Sequence, residues 1–498
     1  MNSFTYHTND HLPKLAWCMV MGSGNVTEVF HGAQVETRDA WFAEGAWDSP
    51  FEEGKFQSSE LFMGSGARLA DEGVLIAAPC HTLEKVYSLR KGSELYFSNS
   101  LAFLLTRSGS RLDINHIHYH TDLASILLGL RECVKSIPTS TGEMIGLHYY
   151  CNIHIDRNLK VVELDKPKPQ PFGNYGAYKS YCLNGLKRIF ENAHSPLRKV
   201  SYSPLVTMSS GYDSSCCAAL AKDAGCEQVV TISQLNPKAP NDSGTRIATC
   251  LGYRQIKEIG YEAYRAIQAF SEVESLATGD LSLIRFNIFE RECENSVLIT
   301  GINGDVVWDK NNANAEHLRR KELNLGGLSS GIAEFRLRVG FIHVPLCFFG
   351  AIEHGSLYRI SNSDEMLPWT IGGSYDRPIP RRILEEKGVD RDSFGKAKQG
   401  IGIGVSYFTR NLSPESYKSL SLYIKSQKSK RSAVKETCFW IPYLVCIGIK
   451  GFNSFCKRKG LSFMRIPNIV PFKFVRSPGM PSYMICWAID QISERYKI

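Results

Sequence analysis

Seven residues, Ser209-Ser210-Gly211-Tyr212-Asp213-Ser214-Ser215, carry the clearest chemical signal in this chain. An apolar run precedes them (Leu205, Val206, Thr207, Met208), and a helix-forming run follows, Cys216 to Ala224, closed by Gly225. A strand, a turn of small residues and a helix start gather unpaired backbone N–H groups that can face an anion. Small side chains let the backbone approach phosphate. The hydroxyls of Ser209, Ser214 and Ser215 add donors, and Asp213 can hold a magnesium ion. No Gly-Lys-Ser/Thr follows, so the usual P-loop is excluded. A second buried-strand pattern, Val297 to Thr300, runs straight into Gly301-Ile302-Asn303-Gly304-Asp305. Asn-Gly-Asp is also an ordinary turn sequence, so Asp305 gains its weight from pairing with Asp213: two carboxylates can share a metal whose shell phosphate oxygens complete.

The elements that must position these loops follow from periodicity. Tyr178 to Ala193 reads as an amphipathic helix with Cys182, Leu186, Ile189, Phe190 and Ala193 on one side. After the serine loop come a strand at Val229–Ile232, a helix near Ser243–Leu251 and a strand at Gln255–Ile259. That alternation predicts a parallel sheet flanked by helices, with ligands at the carboxyl ends of its strands. Upstream, Glu163-Leu164-Asp165-Lys166-Pro167-Lys168-Pro169-Gln170-Pro171 alternates proline with charge and reads as an extended linker. Before it, short runs at Lys14–Met21, Glu28–Phe30, Gly73–Ala78 and Leu95–Phe97 predict a mostly antiparallel, β-rich domain. The expected division is residues 1–165 and 175–498, the second part ending in a helical region of about a hundred residues.

Composition narrows the class. The 498 residues suffice for two or three domains, and 43% apolar with 22% charged content is globular. A net charge of +8 suits anionic ligands but argues only weakly for nucleic acid. Met1 to Asp10 are polar, so no signal peptide is expected, and no run is long enough for a membrane span. Phe439–Ile449, the most apolar segment, is expected in the core. The 15 cysteines include no Cys-x-x-Cys pair; Cys216, Cys217, Cys250 and Cys486 sit in apolar helical patterns, as buried thiols of a reducing cytoplasm do. His116 and His120 are expected on an exposed helix face rather than around a metal.

Taken together, the loops resemble known synthetases. The serine loop is similar to the pyrophosphate-binding loop of ATP pyrophosphatases, Ser-Gly-Gly-x-Asp-Ser-Ser, with Ser210 in place of the middle glycine. Thr300-Gly301-Ile302-Asn303-Gly304-Asp305 is similar to the Ser-Gly-Glu-Gly-Ala-Asp loop of the asparagine synthetase family. Tyr375-Asp376-Arg377-Pro378-Ile379-Pro380-Arg381-Arg382 and Lys396-Ala397-Lys398-Gln399-Gly400-Ile401 look like that family's basic segment and its Arg-x-Lys-x-Gly-Phe stretch. Glu94 to Leu105 resembles part of its glutaminase domain. The resemblance spans about Lys91 to Gly404. It implies an α/β protein: a parallel-sheet ATP pyrophosphatase (adenine nucleotide alpha hydrolase-like) domain preceded by a β-rich Ntn-hydrolase-like domain. It further implies ATP and Mg2+ as cofactors, with Asp213 and Asp305 as metal ligands. Nucleotide contacts would come from Ser209, Ser210, Gly211, Asp213, Ser214, Ser215, Gly301 and Gly304. Lys398, with Asp213 and Asp305, would be catalytic, and Arg381 and Arg382 could add positive charge.

The departures shape the expected chemistry. Glutaminases of this type use an amino-terminal cysteine, whereas residue 2 is Asn2 and the first cysteine is Cys18, inside a strand-like run. Ile302 stands where the family carries a glutamate and cannot accept a proton; Asp280, Glu290, Glu292 and Asp309 are the nearby carboxylates that could substitute. Val306 replaces an acidic residue after the loop aspartate. The resemblance therefore implies an AMP-forming ligase without its own glutaminase, activating a small-molecule or peptide carboxylate for attack by an amine or ammonia. A pseudoenzyme or ATP-binding interaction module on the same fold is the alternative. A tRNA-modifying role rests only on the basic stretch Lys425 to Arg431, and no RNA-binding module or cysteine pair accompanies it. The substrates are not legible, and oligomeric state, a homo-oligomer included, stays open.

Overall fold

The computed structural model describes residues 3–22, 26–233, 241–260, 262–263, 266, 269–283, 286–313, 318–319, 328–373, 375–395, 412–427, 433–459, 461 and 480–497. The first part of the chain begins with β1 (Ser3–Thr8), β2 (Trp17–Met21), β3 (Val26–His31), β4 (Glu36–Arg38), β5 (Trp41–Trp47) and β6 (Phe62–Ala70). It continues through β7 (Gly73–Ala77), β8 (Val86–Lys91), β9 (Glu94–Ser98), α1 (Leu101–Ser108) and α2 (Tyr119–Ala124). Then come β10 (Ser136–Pro138), β11 (Met144–His148), β12 (Cys151–Asp156) and β13 (Val161–Asp165). These strands form a seven-stranded sheet, β1-β3-β2-β9-β8-β11-β10, and a six-stranded sheet, β13-β12-β7-β6-β5-β4. All pairings are antiparallel except β1 with β3.

Side-chain alternation explains why the sheets stack. In β2, Trp17, Met19 and Met21 join Phe42, Val74, Ile76 and Ile153 of the other sheet in a core between the two. Cys18 and Val20 point the opposite way, into a second core with α1 and α2, as period-2 geometry requires. Cys18 is fully buried there, and burial pushes its thiol far above the ordinary range. A thiol so placed is inert packing. The expected linker starts later than its composition suggests: Glu163 to Asp165 belong to β13, and Lys166 is buried, donating to Asn152 Oδ1 at 3.1 Å. Ladder pairing with β12 and a cation–π contact with Phe62 outweigh the charge pattern there.

The second part opens with α3 (Tyr175–Ala193), capped by Asn174, whose side chain accepts from the Ala177 amide at 2.9 Å. Its stripe of Tyr178, Cys182, Leu186 and Ile189 packs between the six-stranded sheet and a third sheet. That sheet is built from β14 (Ser203–Thr207), β15 (Gln228–Ile232), β16 (Gln255–Ile259), β17 (Ser296–Thr300) and β18 (Ile342–Pro345). Between its strands lie α4 (Tyr212–Asp223), α5 (Thr245–Cys250), α6 (Val273–Ala277) and α7 (Ala333–Val339). Every pairing is parallel, in the order β16-β15-β14-β17-β18. The sequence order reverses direction between β14 and β17, so a crevice opens at their carboxyl ends.

Helices α8 (Pro378–Glu386), α9 (Pro414–Gln427), α10 (Ala433–Arg458) and α11 (Met480–Ser493) follow. Helix α11 returns to the first part, burying Met484, Ile485, Trp487 and Ile489 with α1, α2 and α6 against the outer face of the seven-stranded sheet. No described helix is long and apolar enough to cross a membrane. The run 439–449, expected in the core, lies within a continuous α10 that exposes Ile441, Leu444, Val445 and Ile447 while burying Cys446. Among its described residues, exposed apolar side chains flank the buried Cys446. Two further expectations are corrected. Cys250 is exposed at the end of α5. His116 precedes α2 and pairs with Asp122 at 2.6 Å, whereas His120 is buried within it, so the two do not form an exposed helix face.

Helix α7 fastens the two parts together. Arg336, 2% exposed, donates to Glu44 at 2.6 and 2.9 Å and to Glu84 at 2.6 Å. Glu334 accepts from Ser100, the N-cap of α1, and from Tyr496, both at 2.7 Å. Burial works against the charge on Glu84, but Arg336, His343 and His81 outweigh it and hold that carboxyl well below the usual range. His343 in turn meets Thr300 at 2.8 Å, at the end of β17. Replacing Arg336 by methionine leaves two buried carboxylates without their cation and should cost about 3–5 kcal/mol, read as a fall in the urea midpoint. His81 is fully buried and its Nδ1 accepts the Leu83 amide at 3.3 Å. Burial lowers its pKa from 6.5 to about 3, partly opposed by Glu84. The unfolded chain therefore takes up this proton first, so the stability present at neutral pH is lost as pH falls from 6.5 towards 3. Acidification from about pH 7 to about pH 5 should remove about 2 kcal/mol through this group, a slope that His81→Gln flattens.

Candidate functional site

The serine loop and the Gly301–Asp305 loop leave neighbouring strands, β14 and β17, on either side of the sheet's reversal point. They touch. A Cβ at Gly304 would lie 2.4 Å from the Asp213 carboxyl carbon, and one at Gly301 would lie 2.5 Å from the Ser214 amide nitrogen. Only glycine allows this approach, and Asn303 turns the chain through a left-handed φ of 69° to achieve it. Asp213 occupies the first turn of α4 and Asp305 the first turn of the helical segment Gly304–Val307. The N-cap of α4 is Gly211, so no side chain caps the first turn of that helix.

The serines divide by role. Ser209 and Ser214 hydroxyls meet at 2.8 Å, and Ser209 Oγ also accepts the Gly211 amide at 3.2 Å. Ser215, fully buried, donates back to the Ser209 carbonyl at 2.6 Å and stiffens the turn. Ser210 donates its hydroxyl to Asp242 Oδ1 at 2.6 Å and its amide to the Asp242 carbonyl at 3.0 Å. Burial pushes the Asp242 carboxyl up, with Ser210 partly countering it. Ser210 thus anchors the loop to the segment before α5.

The dominant electrostatic feature is Arg377. Its Nη1 bonds both carboxylate oxygens of Asp213 at 2.5 Å, with the guanidinium 4.7 Å above the Tyr375 ring. Burial disfavours its charge, yet Asp213, Tyr375 and Asp305 more than offset this and hold it firmly protonated. Sequence reasoning placed Arg377 inside a basic segment but named Arg381 and Arg382 as the charges of interest. Arg381 is instead buried, bonding the Tyr212 hydroxyl and pairing with Glu385 at 3.2 Å. Arg382 stacks between Tyr175 and Trp369 and pairs with Glu365 and Glu386. The missed signal was Pro378: a proline at the first helical position puts Arg377 outside α8, free to turn towards the loop.

Among the carboxylates considered as substitute bases, Asp280 is fully buried and accepts from Ser282 and the Gly331 amide. Glu290 is paired with Arg338 at 2.8 Å. Asp309 accepts the Asn311 amide at 2.9 Å, and Glu292 lies in the short helix Glu290–Cys293 that precedes β17. Ile302 packs against the apolar clusters on both faces of the parallel sheet. A narrow crevice beside the second loop is lined by Thr82, Ile126, Leu127, Asn303 and Val306, and Asn303 Oδ1 is buried there without a hydrogen-bond partner among the described residues. Lys398 lies outside the described residues. The chain enters its segment from Gly395, whose amide donates to the Ser210 carbonyl at 3.0 Å. Gly395 has a φ of 68°, and a Cβ there would strike the Tyr212 ring.

No protein-family model matches the chain. No curated protein matches it either. What the coordinates establish is a two-part α/β architecture, a β-rich first part and a parallel sheet with helices, consistent with the general PP-loop and Ntn-hydrolase-like kind. This is a generic nucleotide-binding type of fold.

The close approach of the two loops makes a sharp prediction. Gly304→Ala should lower stability by about 1–3 kcal/mol, because its Cβ forces the Asp213–Arg377 pair apart. Gly355, in the helix His354–Ser361 with open space around it, is the control. Gly355→Ala should leave stability unchanged or raise it by about 0.5–1 kcal/mol in the same urea titration.

Proposed function

We propose that this protein is an ATP-dependent, AMP-forming ligase that activates a carboxylate as its adenylate and passes it to an amine or ammonia. The observation that carries the reading is the junction of the two loops at the reversal point of the parallel sheet: the uncapped start of α4, Asp213, Asp305 and Arg377 converge there. Helix amides and a buried guanidinium suit a polyphosphate, and two carboxylates suit a hard divalent cation. Mg2+ would be held by Asp305 and by whichever Asp213 oxygen Arg377 releases, and when bound it would neutralise phosphate charge.

The substrate carboxylate attacks the α-phosphorus and pyrophosphate leaves, so the chain's task is to receive negative charge on the departing group. Arg377 and the start of α4 at residues 212–214 would take that role, with Lys398 as a further cation. The amine then attacks the acyl carbon, AMP leaves, and the amine's proton passes to solvent or to a base, a part that Ile302 cannot play. Ammonia from a resident glutaminase is not part of this reading, since the Cys18 thiol is buried in a core.

One observation favours a second reading, a nucleotide-binding module without turnover: Arg377 occupies both oxygens of Asp213, the atoms a metal would need. Calorimetry with ATP and Mg2+ tests both. Wild type should bind, Asp213→Asn and Arg377→Met should weaken binding at least about tenfold, and Lys398→Ala should depress pyrophosphate release from carboxylate mixtures more than binding. Binding without any ATP–pyrophosphate exchange would select the module. A wild type that binds no ATP would overturn both.

A further inference from the structure

Away from the crevice, three side chains of different chemistry meet where the two antiparallel sheets join. His148 closes β11, Cys151 opens β12, and Glu163 lies in β13. The connection is two residues long, and Tyr150 adopts a left-handed φ of 50° within it as the chain passes from one sheet to the other. In the β12–β13 ladder Cys151 faces Asp165 and Ile153 faces Glu163, so Cys151 and Glu163 are diagonal neighbours on one face. One ligand atom from each of His148, Cys151 and Glu163 lies within 4.8 Å of the other two. His148 and Cys151 are buried, while Glu163 is open to solvent.

We infer that His148 Nδ1, Cys151 Sγ and a Glu163 carboxylate oxygen form a binding site for a zinc-like divalent transition metal, with solvent able to supply a fourth ligand. The donor set is the first argument. Nitrogen, thiolate sulfur and one carboxylate suit a borderline-soft ion, whereas Mg2+ or Ca2+ would require oxygen alone. Orientation is the second. His148 Nε2 lies 2.8 Å from Ser88 Oγ and Nδ1 lies 2.6 Å from Glu163 Oε1. A ligating imidazole needs its other nitrogen held in this way, and serine can accept that N–H as readily as it donates.

The proton balance closes. In the metal-free arrangement Nδ1–H donates to Glu163 and Nε2 accepts from Ser88. On metal binding the imidazole proton sits on Nε2, where Ser88 Oγ accepts it, and the Cys151 thiol releases its proton to solvent. Movements of about an ångström bring the three atoms to the ~2.0–2.3 Å bonds such ions make. The same Ser88, His148 and Glu163 could be read as a nucleophilic relay. Ser88, however, sits mid-strand, laddered to Phe97 on one side and Gly146 on the other, so its strand offers no turn of free amides for an oxyanion. The metal would tie β13, the strand leading into the second part of the chain, to both sheets. The site shares no residue with the nucleotide crevice, so its fate is independent of the function proposed there.

The test uses the full chain, stripped with a chelator and titrated with Co2+ and then Zn2+. The expected result is one equivalent of Co2+ with a thiolate-to-metal charge-transfer band in the near ultraviolet, displaced by Zn2+. Cys151→Ser should abolish the band, and Cys250→Ser, which alters an exposed thiol elsewhere, should keep it. Glu163→Gln changes an exposed side chain and is expected to fold, so it should weaken affinity about tenfold or more and guards against misfolding of the buried variants. Absence of stoichiometric uptake, or a band that survives in Cys151→Ser, would falsify the assignment.

Discussion

Most of this molecule's organisation depends on one buried cation. Arg336 is taken out of water between Glu44 and Glu84, residues of the first part, while its own helix α7 belongs to the second. Desolvating such a group is costly, and only near-ideal geometry with every partner held in place repays it. The surroundings supply that geometry: Trp17 donates to Ser65 and Ser65 to Glu44, while Arg338 pairs with Glu274 and Glu290. The two parts therefore lock in one register rather than sliding on a greasy face, because a shift of the interface would strand three charges at once.

That lock reaches the crevice through few steps. Glu84 faces His343, His343 meets Thr300, and the next residue is Gly301, pressed against Ser214. A chain of polar contacts thus fixes where β17 ends, and Gly301 and Gly304 let the loop after it press against Ser214 and Asp213. The pairing of Arg377 with Asp213 uses the same principle in a looser setting. Its site opens to solvent on one side, so this ion pair can be exchanged for another anion or cation, whereas the Arg336 pairs cannot.

What the sequence disclosed follows from how far apart interacting residues are. Strand alternation in β2, the stripe on α3 and the strand–turn–helix around Ser209 are local patterns, and each is found in place in the coordinates. The Arg336 pairs span more than two hundred positions and the Arg377 pair more than a hundred, and no periodicity reports on contacts of that kind. The metal trio lay between these cases. His148 and Cys151 are three apart, a visible spacing, but the third ligand comes from the next strand, in a segment whose prolines suggested a linker. Cys250 and the α10 face were misread because apolar pattern specifies a stripe, not whether a neighbour exists to cover it. Lys398 falls outside the described residues.

The return of α11 to the outer face of the seven-stranded sheet has a consequence for how the protein is made. Trp487, Met484 and Ile485 complete a core begun by Cys18, Val20 and Phe103. As the chain leaves the ribosome, the early strands can pair with one another, but part of their outer surface has no cover until Met480–Ser493 emerges. The first part cannot finish as an independent unit ahead of the second; its last layer arrives only after the parallel sheet has been synthesised. Vectorial synthesis therefore leaves part of that apolar sheet face without its α11 cover for most of translation.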